Sequence, residues 1–171
     1  MKRVTLGALD YGLAFGVDRT LRRLMLEGRI SAVGCLVASD LWPREFMPIR
    51  EVSEVVGKRA LVGVTLAFSG DRVRPVSERM HALYSDKMPS RSSIERRAML
   101  RLLPDEVILA EAEAQLNRFT FLMDREPDFI AVREGLLDRM AIAKLVLKAI
   151  DKAGYDKAPY LVSPLEPGFQ S

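Results

Sequence analysis

The sequence holds one histidine, His81, and one cysteine, Cys35. One copy of the chain therefore cannot build a site from two or three imidazoles, a cysteine-rich zinc site or an intrachain disulfide. Chemistry must come from carboxylates, hydroxyls and guanidinium groups. Those that stand beside short apolar runs are Asp10, Asp40, Thr65, Arg133 and Glu134. Asp10 precedes Gly12, and an aspartate in a glycine turn commonly accepts backbone N–H groups, which is the expectation for it here. Ser39 or Asp40 is placed to cap a helix, and Thr65 to be buried and bonded to backbone. Arg133 and Glu134 either share a mouth with Asp10 or are solvated charges ahead of a helix. Asp10 and Glu134 together would offer a hard cation oxygen ligands, without a third partner to complete the site. His81, beside Met80, Ala82, Leu83 and Tyr84, reads as a surface or packed residue of a short helix, and Cys35 as a small core residue. The loop 10–16 has no G-x-G-x-x-G or P-loop pattern, so no nucleotide site is indicated.

These groups must be positioned by the apolar runs around them. Runs at 4–9, 30–38, 60–68, 128–132 and 160–162 read as strands. Helical spacing is predicted over 17–27, 41–56, 93–103, 104–123 and 134–153. In the fourth of these helices Ile108, Ala112, Leu116, Phe119 and Met123 form the apolar stripe; in the fifth, Leu137, Ala141, Leu145 and Ala149 do. A polar excursion over 69–93 interrupts the alternation. Continuous apolar runs predict strands covered on both faces, and the alternation predicts parallel strands joined by right-handed crossovers. In such folds functional groups lie beyond the carboxyl ends of the strands.

Composition narrows the function classes. The chain has 171 residues, 49% hydrophobic and 29% charged, which predicts a single globular domain over 1–171. A net charge of +3 is too small to imply nucleic-acid binding. The excursion is locally basic: Arg72, Arg74, Arg79, Lys87, Arg91, Arg96 and Arg97 stand against four acids over 71–97. Its default reading is a solvated face, with an acidic partner as the alternative. The longest apolar run is far below the roughly 20 residues of a membrane span. With no targeting segment and no disulfide, a cytoplasmic protein is expected.

The motif order resembles the YdjC-like carbohydrate deacetylases, which include chitooligosaccharide-type and hopanoid-associated members. That family opens with a strand ending Asn-Ala-Asp-Asp-Phe-Gly; here the run is Gly7-Ala8-Leu9-Asp10-Tyr11-Gly12. Its third strand carries Gly-x-His-Leu-Thr, matched by Gly63-Val64-Thr65-Leu66-Ala67. Its later Pro-Asp-His-Ile-Asp-Gly-His-x-His is matched by the run from Pro127 and Asp128 through Arg133, Glu134 and Gly135.

The resemblance implies a parallel-strand deacetylase-type (β/α) barrel, incomplete or trimmed here. It also implies a divalent metal, zinc or magnesium, held by an aspartate and two histidines, with a second aspartate moving protons. On this correspondence only the metal aspartate remains, as Asp10. The proton-transfer position is Leu9, the third-strand histidine is Thr65, and Arg133 and Gly135 replace the histidines of the last motif. Leucine accepts no proton, and arginine repels a cation.

The expectation is thus a non-catalytic relative with no metal cofactor. It would bind a carbohydrate-like molecule or a protein through Asp10, Tyr11, Thr65, Arg133 and Glu134, and a homodimer would cover the cut edge. The alternative is an active metal-dependent hydrolase of N-acetylated sugars, its site rebuilt from Asp10, Glu134 and His81.

Overall fold

The computed structural model describes residues 5–162. Its strands are β1 (Gly7–Tyr11), β2 (Ala32–Cys35), β3 (Leu61–Leu66), β4 (Phe129–Val132) and β5 (Tyr160–Val162). Its helices are α1 (Phe15–Leu26), α2 (Trp42–Val56), α3 (Glu78–Tyr84), α4 (Arg91–Met99), α5 (Asp105–Met123) and α6 (Met140–Ala153). All strand pairs are parallel, in the order β1-β2-β3-β4-β5.

That order decides where the helices go. With every crossover right-handed and every strand added on the same side, successive helices fall on one face of the sheet. Accordingly α1 packs on α2, α2 on α5 and α5 on α6. Side chains alternate along each strand, so one row faces the helices and the other faces away. Val33, Cys35, Val62, Val64, Leu66, Ile130 and Val132 form the helix-facing row and are buried. The opposite row contains Gly7, Leu9, Ala32, Gly34, Leu61, Gly63, Phe129, Tyr160 and Val162. Much of this second row, with Thr5 and Lys157, lines a concave apolar cavity of about 650 Å³. The expectation of helices on both faces is therefore corrected: among the described residues helices cover one face of the sheet, and the other, inner face is a concave apolar surface. Small residues let that face curve, whereas the branched residues fill the space under the helices.

Several boundaries differ from the sequence reading. β1 starts later than the predicted run 4–9 and continues through Asp10 and Tyr11; Val4 lies outside the described residues. β2 and β3 are shorter than their apolar runs, because the flanking residues form buried turns at the strand ends. The last helix begins at Met140, not at 134: Glu134 and Gly135 have φ of 61° and 68°, which interrupts helical geometry after β4. Its buried face is Ile142, Val146 and Ala149, one position on from the predicted Ala141 and Leu145. In α5 the predicted stripe is buried throughout.

The polar excursion is ordered by one buried carboxylate. Glu111 on α5 accepts from Val76 N at 3.0 Å, Ser77 N at 2.8 Å and Ser77 Oγ at 2.7 Å. Gln115, one turn later, donates to Glu111 at 2.8 Å and to Ala67 O at 2.7 Å, and accepts from Ala67 N at 3.0 Å. The chain leaving β3 and the start of α3 are thus fixed to α5 through two side chains, with Val73 and Met80 filling the space beneath.

Candidate functional site

The carboxyl ends of β1, β3 and β4 meet at one mouth. β1 reaches it through an irregularity: Ala8 pairs with Val33 and Tyr11 with Cys35, so β1 spends three steps where β2 spends two. This extra residue separates the fates of two neighbours. Tyr11 turns under the helices and is fully buried, while Asp10 stays half-exposed at the mouth. Arg133, the residue after β4, meets Asp10 there with Nε 3.3 Å from Oδ1. Next to it Glu134 accepts from the hydroxyl of buried Ser69. Glu134 holds a left-handed backbone (φ 61°), a conformation that disfavours a side chain and that the surroundings must enforce. Gly70 completes the wall: a Cβ added there would stand 3.0 Å from Arg133 Nη1. The mouth therefore presents two carboxylates and one guanidinium, with Asp10 and Arg133 already paired.

The other predicted site residues lie elsewhere. Thr65 was expected to be buried and bonded to backbone, and it is: its hydroxyl donates to Leu9 O at 2.5 Å. That bond spans β2 at Gly34, where a Cβ would sit 2.5 Å from Thr65 Oγ1. Thr65 is consequently corrected as a mouth candidate, because its hydroxyl is committed and inaccessible. Tyr11 is corrected for the same reason. Its hydroxyl donates to Glu45 O at 3.0 Å and accepts from Arg22 Nη1 at 2.6 Å. Burial away from water holds the phenol far above its ordinary range, with the Arg22 contact opposing. Leu9 lines the inner cavity. His81 is exposed on α3 and contacts Asp86 at 2.9 Å. Of the two cap candidates, Ser39 Oγ accepts from Leu41 N at 3.1 Å, whereas Asp40 pairs with Arg74 at 3.0 Å. Among the described residues no three His, Cys, Asp or Glu side chains converge, so Asp10, Glu134 and His81 are not brought together.

The expected role of Asp10 in the glycine turn belongs to Asp18. Gly12 N donates to Asp18 Oδ1 at 2.8 Å, and Asp18 is fully buried on α1. Its second oxygen has no partner among the described residues. Loss of hydration raises the Asp18 carboxyl above its ordinary range; the Gly12 N–H opposes this, and the nearby Glu45 charge adds to it. A raised folded-state value means the folded protein binds the proton more readily than the unfolded chain. This contribution to stability is full below the unfolded pKa and is lost as pH rises through the folded one. Asp18→Asn retains the acceptor oxygen and removes the titration. Its melting temperature should therefore gain on that of the natural protein over the range in which pH rises from about 4, the ordinary carboxyl value, through the raised folded-state value. Parallel melting profiles across that range would contradict the assignment.

Ser69, Gly34 and the Asp18–Arg22–Glu45 group were not found by sequence reasoning. Ser69 acts through Glu134, 65 positions away, Arg22 through Glu45, 23 positions away, and Asp18 through a turn glycine that only the fold brings to it, while Gly34 acts through the absence of a side chain. The one available signal was a glycine inside an apolar strand, which marks a close approach.

A family model described as YdjC-like protein matches residues 3–170. Among solved structures, the crystal structure of a putative cellobiose-phosphate cleavage protein from Enterococcus faecalis V583 is similar, with a TM-score of 0.66 and 17% sequence identity. The similarity covers 86% of this chain and 55% of that one, so the chain spans about half the length of this neighbour. The shared feature at that identity is the fold. No curated protein matches the sequence.

Proposed function

We propose that this chain, which belongs to the YdjC-like family, is a member without the metal site, acting as a non-catalytic binding protein for a carbohydrate-like molecule. The observation that carries this reading is the Asp10–Arg133 pair. A divalent cation at the family's position would need Asp10 as a ligand. Here one oxygen of that carboxylate is engaged by a guanidinium 3.3 Å away, whose positive charge repels a metal. The next ligand position is Thr65, whose hydroxyl is bound to Leu9 O. The residues present do not fit the metal. A guanidinium with two neighbouring carboxylates does suit vicinal hydroxyl groups, through a fork of donors beside strong acceptors.

Incubation with an N-acetylated chitooligosaccharide is expected to release no acetate, with or without zinc or magnesium. Calorimetric titration with the same oligosaccharide should show binding that Arg133→Ala weakens about tenfold, the scale of one charge-assisted hydrogen bond. Metal-dependent acetate release that Asp10→Asn abolishes would establish the hydrolase reading instead.

We further propose a homodimer whose second copy covers the apolar inner face around Leu9, Leu61, Phe129 and Val162. An apolar concavity of this size that no helix covers among the described residues favours association. Light scattering should give twice the monomer mass over a wide range of concentration; a monomer throughout would contradict it.

A further inference from the structure

Residues 96–102 form a projecting knuckle where α4 ends. Met99, Leu100 and Leu102 are 77%, 57% and 66% exposed, and Arg96, Arg97 and Arg101 of the same segment are exposed as well. The segment is held in shape. Leu100 N donates to Arg96 O at 3.0 Å, and Leu102 N donates to Arg97 O at 2.8 Å. Arg101 takes a left-handed backbone, φ 57°, to make that return. Buried Ile94 anchors the helix to the body of the protein.

The charge is uncompensated. The nearest acid in sequence, Glu95, is engaged by Arg91 at 3.3 Å and Arg139 at 3.1 Å. Among the described residues none of Arg96, Arg97 and Arg101 has an ion-pair partner. Three large exposed apolar side chains beside three guanidinium groups that have no ion-pair partner among the described residues suit an interface that is apolar just below a layer of anions. Guanidinium forks pair with phosphate, and the apolar side chains enter beneath the headgroups.

We propose that this knuckle docks the protein on an anionic lipid surface. The inference is independent of what the mouth binds. It is tested by sedimenting the protein with vesicles of phosphatidylcholine alone, or of about three parts phosphatidylcholine to one part phosphatidylglycerol, at about 0.1 M salt. Binding is expected to the anionic vesicles only. The triple variant R96E/R97E/R101E should weaken it by about a hundredfold, the product of three basic contacts at a charged surface. M99S/L100S/L102S should weaken it by about tenfold or more with the arginines intact. All six side chains are exposed, so both variants should keep the natural melting temperature. Three outcomes would overturn the proposal: equal partitioning to both vesicles, no partitioning to either, or full binding by the M99S/L100S/L102S variant. Arginine-dependent binding to heparin without vesicle binding would also overturn it, in favour of an acidic macromolecular partner.

Discussion

Glu111→Ala is expected to destabilise the protein by about 3–5 kcal/mol, the range for removing one partner from a buried charged network. Glu111 is fully buried, and its carboxylate receives two backbone N–H groups, the Ser77 hydroxyl and the Gln115 amide. Alanine would leave the Val76 and Ser77 donors without acceptors and open a cavity between α5 and the excursion. Gln115 would still hold Ala67 O, so β3 and its exit should survive while α3 loosens. Glu111→Gln keeps one acceptor oxygen but turns an NH2 group toward donors, and should fall between alanine and the natural residue. Urea unfolding measures the loss; hydrogen exchange should locate it at residues 76–85. A loss below about 1 kcal/mol, within the range of an ordinary surface change, would contradict the role given to Glu111.

Gly63→Ala should be comparably severe, for a steric reason. A Cβ at Gly63 would stand 2.3 Å from Phe129 O and 2.6 Å from the Phe129 ring. The nearest obstacle is a backbone carbonyl of the neighbouring strand, which cannot turn aside as a flexible side chain could. Relief would require β3 and β4 to separate where Val64 pairs with Ile130. The expected loss is about 3 kcal/mol or more, the upper end for overpacking, against a total stability of roughly 5–15 kcal/mol. Gly16→Ala provides the contrast. Gly16 lies in α1 with nothing within 4 Å of an added Cβ, and alanine there should add about 0.5–1 kcal/mol. Equal effects of the two substitutions would refute the close approach of β3 and β4.

The sequence carried the alternation of elements well, because branched apolar residues under a helix layer give runs without charge. The runs at Val62, Val64 and Ile130 mark the middle strands for this reason. What those runs concealed is that, among the described residues, helices cover only one face. Continuous apolarity arises when both rows are uncharged, and the inner row here is uncharged because it is glycine, alanine, leucine and phenylalanine. The same row explains why Gly34 and Gly63 were legible only as strand glycines: their function is to leave room for Thr65 and Phe129.

The mouth was partly legible. Asp10, Arg133 and Glu134 follow apolar runs, and the positions after parallel strands share one end of the sheet. Tyr11 and Thr65 were misplaced for different reasons. The irregularity in β1 reverses the direction of Tyr11, and Thr65 finds its acceptor two strands away. The exchange of Asp10 for Asp18 in the glycine turn has a similar origin. Asp18 looks like an ordinary first-turn helix residue, and only the fold brings its carboxylate back to Gly12 N.

The proposal that this mouth no longer holds a metal is tested most directly by calorimetric titration of the protein with zinc and with magnesium, accompanied by thermal melts. The ion pair between Asp10 and Arg133 predicts no site of micromolar affinity or better. It also predicts the same melting temperature with and without either ion, in the natural protein and in Asp10→Asn alike. A metal site of micromolar affinity that raises the melting temperature of the natural protein and disappears in Asp10→Asn would contradict the account.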